Sequence, residues 1–137
     1  MEGRIMAMDF GLKRTGIAVT DPLQIAVHSL TTVMTQELKG WTTAYLRTEK
    51  VVKLVLGDPS AGVPEEHELM RGLKLFYKWF SDTFPHIVVA WQDEMLTSQR
   101  AVEVIRQAGI KKKKRQDKGL VDKVSAVIIL QQYLGHH

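Results

Sequence analysis

The feature that most constrains this chain is a pair of strand-like runs only four residues apart. Residues 5–10 form a short apolar stretch that ends in a turn signal, and residues 15–20 are rich in β-branched side chains. A parallel crossover needs a dozen or more residues, so a four-residue link forces an antiparallel hairpin. Gly11 and Gly16 are read as backbone necessities, one for a tight turn and one for close strand packing.

Beyond the hairpin, Asp21-Pro22 marks a turn and residues 28–34 predict a third strand. The pattern then changes period. Residues 36–49 place Leu38, Trp41, Tyr45 and Thr48 at helical spacing, despite Gly40. Residues 51–56 form a continuous apolar strand stopped by Gly57-Asp58-Pro59. Residues 65–84 repeat Leu69, Leu73, Phe76 and Phe80 on one helical face, with Glu65, Glu66 and Glu68 at the positive end of the helix dipole. Residues 87–91 predict a fifth strand. Thr97 or Ser98 can cap a helix that stops at Gly109, and residues 120–134 predict a last helix. Strands separated by helices are most easily parallel. The expected fold is α/β: a five-stranded mixed sheet, three strands antiparallel and two added in parallel, with helices on both faces. With 137 residues and no linker, residues 1–137 are expected to form one domain.

Composition narrows the function. The formal charge is +4, which permits a polyanionic partner. There is no cysteine, which excludes thiol catalysis and disulfides. No apolar run approaches the ~20 residues of a membrane span, and the first residues lack the pattern of a signal peptide. A cytoplasmic protein with no membrane partner is the expectation. Asp9-Phe10-Gly11 resembles a kinase motif, but the Gly-rich loop, strand lysine and catalytic loop of a kinase are missing. His28, His67 and His86 lack zinc-ligand spacing. Trp41, Trp79, Phe76 and Phe80 fit a helical core, while Trp91 stays open as a base-stacking candidate.

Three acidic positions remain. Asp9 ends the first strand, Asp93 and Glu94 follow the fifth, and Asp122 shares a helix face with Lys118, Ser125, Ala126 and Ile129. If the first and fifth strands are parallel neighbours, Asp9, Glu94 and Asp122 converge at one sheet edge. Converging carboxylates repel, and a divalent cation relieves the conflict. Oxygen ligands suit Mg²⁺ or Mn²⁺. Two ions about 3.5–4 Å apart can activate a water and stabilise the leaving oxygen of a phosphodiester. Each acid also has a plainer reading: a hairpin turn for Asp9, a solvated loop for Asp93-Glu94, and an ion pair with Lys118 for Asp122.

At these residues the chain resembles a known family. "MDFGLKRTGIAVTD" (8–21), "GDP" (57–59), "DEMLTSQRA" (93–101) and "KGLVDKVSAVIILQQYL" (118–134) look like the four blocks of the YqgF/RuvX family, in the same order. The resemblance covers nearly the whole chain. It implies a ribonuclease H-like fold, with Asp9, Glu94 and Asp122 as the acidic residues. It also implies magnesium-dependent phosphodiester hydrolysis, on precursor 16S ribosomal RNA or on Holliday junctions. Two positions depart from the family pattern: Met95 stands where Arg is usual, and Asp58 where an apolar residue is usual.

The candidate nucleic-acid contacts are Lys13 and Arg14 in the hairpin turn, the run Lys111, Lys112, Lys113, Lys114 and Arg115, and Lys118. The run reads equally as a solvated loop. As a flap over phosphates, it would make binding salt-sensitive. Thr97 and Ser98 read as caps rather than nucleophiles, because no histidine base accompanies them. Two other classes compete with the nuclease reading. Met95 and Asp58 would suit a non-catalytic nucleic-acid-binding module. An actin-like phosphotransferase shares the opening hairpin but needs two such domains. The expected partner is pre-rRNA or branched DNA, bound by a monomer or a homodimer. Symmetric cutting of a four-way junction requires two sites.

Overall fold

A computed structural model of the chain describes residues 2–93, 103–106 and 118–135, with backbone alone at 118 and 119. Five strands form one sheet: β1 Arg4–Asp9, β2 Arg14–Thr20, β3 Val27–Met34, β4 Val51–Asp58 and β5 Val88–Asp93. Helix α1 is Leu38–Thr48, α2 is Glu68–Thr83 and α3 is Lys118–Leu134. A 3-10 turn at Thr35–Glu37 leads into α1, and residues 103–106 form a helical turn.

The sheet order is β3-β2-β1-β4-β5. Strands β1, β2 and β3 pair antiparallel, as their short links require, and β4 and β5 add in parallel beside β1. The expected mixed sheet is therefore present, but β1 and β5 are not neighbours. The crossover through α1 sets β4 against β1, and the crossover through α2 carries β5 one strand further out.

Strand alternation sorts the side chains into two layers. Met6 and Met8 of β1, Ile17 and Val19 of β2, and Leu54 and Leu56 of β4 meet Leu38 of α1 and Leu73, Phe76 and Phe80 of α2. On the opposite face, among the described residues, Ile5, Ala7, Ala18 and Val55 meet Ala126, Ile129 and Leu130 of α3. Phe76 and Phe80 are buried and Trp41 and Trp79 pack against the same core, as helical spacing indicates.

Some boundaries move. Strand β4 runs through Gly57 to Asp58 and β5 runs on to Asp93, because the two pair in register to the end, Asp58 against Asp93. Helix α2 starts later than residue 65. His67 caps it, its Nδ1 accepting from the Leu69 amide at 3.0 Å, so of the three glutamates only Glu68 lies in the first turn. Of the helix expected from Thr97 or Ser98 to Gly109, only residues 103–106 are described; they are helical, with Ile105 buried, and the charge run 111–115 lies outside the described residues. Among the described residues, no helix is long and apolar enough to cross a membrane.

Candidate active site

Alternation places Asp9 on the α3 face of the sheet, following Ile5 and Ala7 of the same parity. Its register partner on β2 is Gly16. The backbone of Asp122 presses on that glycine: a Cβ at Gly16 would stand 1.9 Å from the Asp122 carbonyl oxygen. Gly16 thus serves close packing, but against a helix rather than a strand. Small residues continue the approach, with Ser125 and Ala126 fully buried one turn further along α3. The fold therefore gathers Asp9 and Asp122, from opposite ends of the chain, around one glycine.

Arg14 opens β2 on the same face. Its Nε donates to Asp122 Oδ2 at 3.2 Å, with 26% and 24% of the two side chains exposed. Asp122 thus has an arginine far away in sequence as a partner. Gly11 fits the hairpin turn, since a Cβ there would stand 2.3 Å from the Arg14 carbonyl oxygen. Lys13 is exposed at the same tip.

The tip is held from a residue that sequence reasoning missed. The Thr35 amide donates to the Lys13 carbonyl at 2.9 Å and its hydroxyl to the Gly11 carbonyl at 2.7 Å. Its Oγ1 also lies 2.9 Å from Thr15 Oγ1. A threonine closing a β-branched run was the available signal, but only the pairing of β2 with β3 identifies what it ties.

Other candidates separate from this cluster. Asp58 lines a groove of about 680 Å³ with residues of α2 and with Trp91, on the face opposite Asp9. Alternation sends Asp93 the same way, while Ala90 packs toward α3. The β4 pleat therefore turns Asp58, one of the two departures from the family pattern, away from Asp9. Trp91 packs at a tilt against Tyr77 of α2, ring centroids 5.4 Å apart, so it belongs to that groove too. Glu94, Met95, Lys111, Lys112, Lys113, Lys114 and Arg115 lie outside the described residues, as does the side chain of Lys118.

The donors that are described fit a hard divalent cation. Asp9 and Asp122 offer anionic oxygens, and neither is sealed in the core. Mg²⁺ and Mn²⁺ favour such carboxylates and usually keep several waters, which partial exposure allows. Beside Asp122, the Ser125 hydroxyl is buried with no hydrogen-bond partner among the described residues. Leaving such a group unsatisfied costs about 1–3 kcal/mol, so a polar group from outside the described residues, or a water, would be stabilised there. Among the described residues, no group of three acidic, histidine or cysteine side chains forms a complete metal site.

Comparison with known proteins identifies the family and the fold. A profile of the RuvX family, described as a Holliday junction resolvase, matches residues 3–136. A protein of Porphyromonas gingivalis is 49% identical over 132 residues, covering 96% of each chain. One of Bacteroides fragilis is 44% identical over 131 residues, covering 96% of this chain and 95% of its own. Both bear the name "Putative pre-16S rRNA nuclease". Among solved structures, T. thermophilus RuvC in complex with Holliday junction substrate aligns with a TM-score of 0.59 at 14% identity. The alignment covers 98% of this chain and 97% of that one. At that identity the likeness shows the ribonuclease H-like fold.

Proposed function

Given that the chain belongs to the RuvX family, we propose that it is a metal-dependent endonuclease of precursor 16S ribosomal RNA, acting in 5′-end processing during ribosome assembly. The observation that carries this reading is the meeting of Asp9 and Asp122 on one face of the sheet, on either side of Gly16. Its curated relatives bear a nuclease name at 41–49% identity.

In this reading Asp9, Glu94 and Asp122 hold Mg²⁺ or Mn²⁺, two ions in all. Glu94 directly follows β5 in the sequence. The bound ions would supply a water nucleophile of lowered pKa and charge stabilisation at the leaving oxygen. The protein's own part is positioning. Strand β1 fixes Asp9, and α3, pressed onto Gly16, fixes Asp122. Lys13 on the tethered hairpin tip meets a phosphate beside the reacting one. Lys111, Lys112, Lys113, Lys114, Arg115 and Lys118 add salt-sensitive contacts to the flanking backbone.

Cleavage of a precursor 16S rRNA fragment with Mg²⁺ or Mn²⁺ tests the assignment. Asp9→Asn, Glu94→Gln and Asp122→Asn should each lower the rate at least about 10²-fold, since each removes an anionic ligand from the reacting centre. Cleavage that persists at the wild-type rate in all three variants would remove the site from these residues. A second reading, cleavage of branched DNA, is favoured by the family description. It requires a dimer, because symmetric cutting needs two sites. Matched RNA and four-way-junction substrates distinguish the two.

A further inference from the structure

The pairing of Arg14 with Asp122 makes the proposed metal ligand the partner of a residue also placed to meet substrate. We propose that Arg14 exchanges partners: it holds the Asp122 carboxylate in the metal-free protein and turns to a substrate phosphodiester once a divalent cation takes that carboxylate. The inference rests on the site reading above and adds a coupling between metal and nucleic acid.

Three observations carry it. First, the contact is direct, Nε to Oδ2 at 3.2 Å, and joins residues 108 apart in the chain. Second, its surroundings are fixed. Arg14 begins β2 on the same face as Gly16, Gly16 sits under the Asp122 backbone, and Asp9 is the register partner of Gly16. One guanidinium therefore neutralises the Asp122 carboxylate on the sheet face that also carries Asp9. Third, the pair is only part-buried, at 26% and 24% side-chain exposure, so the guanidinium can move without stranding a charge in the core. Guanidinium groups bind carboxylates and phosphates with the same planar fork, which suits an exchange between the two.

The exchange has a definite sign. The cation competes with Arg14 for Asp122, so metal affinity in wild type is lower than the carboxylates alone would give. Once displaced, the arginine adds a phosphate contact, so metal and nucleic acid each strengthen the other's binding. Linkage makes that effect reciprocal. Arg14 is a positioning residue for Asp122 in one state and a substrate contact in the other.

The experiment is calorimetric titration of Mn²⁺ into wild type, Arg14→Gln and Arg14→Lys. It is paired with binding of a phosphorothioate-linked RNA hairpin, with and without Mn²⁺. Arg14→Gln should bind Mn²⁺ about two- to fivefold more tightly, the range expected for losing a part-exposed ion pair. In that variant the gain in RNA affinity on adding Mn²⁺ should shrink by a similar factor. Arg14→Lys keeps the charge, so its Mn²⁺ affinity should stay within about twofold of wild type. It should still lose part of the coupling, because lysine lacks the fork. Thermal unfolding without metal verifies that each variant is folded. Unchanged or weaker Mn²⁺ binding by folded Arg14→Gln would overturn the exchange and leave the metal site standing. Undiminished Mn²⁺ binding by an Asp9→Asn, Asp122→Asn double variant would overturn the site reading itself.

Discussion

Gly16 carries more of the site than any charged residue, because it sets the distance between β2 and α3. Adding one methyl there puts a carbon 1.9 Å from a backbone oxygen that cannot rotate away. Gly16→Ala should therefore destabilise the fold by about 3 kcal/mol, at the upper end for overpacking, and displace Asp122 as α3 lifts. Urea unfolding reads the first effect and Mn²⁺ titration of the folded fraction the second. Asp21 offers a separate test far from the acids. Its Oδ1 accepts from the Ile25 and Ala26 amides at 2.7 and 2.9 Å in the turn between β2 and β3. The hydrogen bond from Ala26 is the main cause holding this carboxyl below its ordinary value. A depressed acid contributes stability above its unfolded value, near about 4. That contribution is lost as pH falls through the lower folded value. The stability gap between wild type and Asp21→Asn should be widest at neutral pH and close on acidification. Urea midpoints measured across that range would show it, and a constant gap would contradict it.

The two helical layers differ in their side chains, and the difference has consequences for the elements. Helices α1 and α2 share a core with several aromatic rings, whereas among the described residues α3 covers the other face with Ala126, Ile129 and Leu130. Ile129→Ala and Phe80→Ala should each cost about 3–4 kcal/mol. Their effects on the site should differ. Loosening α3 shifts Asp122, so Ile129→Ala should also weaken Mn²⁺ binding in the folded protein. Phe80→Ala, on the opposite face, should leave that affinity near wild type. The elements themselves were legible from periodicity, since five apolar runs and the aromatic spacing of α2 match what forms. Strand ends were not. Gly57-Asp58-Pro59 reads as a stop, yet β4 and β5 pair through Asp58 and Asp93. That extension turns both acids toward α2, on the face opposite Asp9.

For the whole molecule, the short hairpin link and the alternation of strands with helices were enough to predict the mixed sheet and its two helical layers. They did not fix that β4 lies between β1 and β5, which depends on where each crossover lands. The approach of Asp9 and Asp122 was predictable from strand ends and helix faces. The Arg14 contact with Asp122 was not, because it joins two elements by a side chain whose partner depends on how α3 crosses β2. The central claim is that distant acids meet to hold a cation. It is tested most directly by anomalous diffraction from crystals soaked in Mn²⁺. The account predicts a manganese peak on the α3 face, within about 2 Å of a carboxylate oxygen of Asp9 and one of Asp122. A peak bound elsewhere, with both carboxylates left without metal, would contradict it.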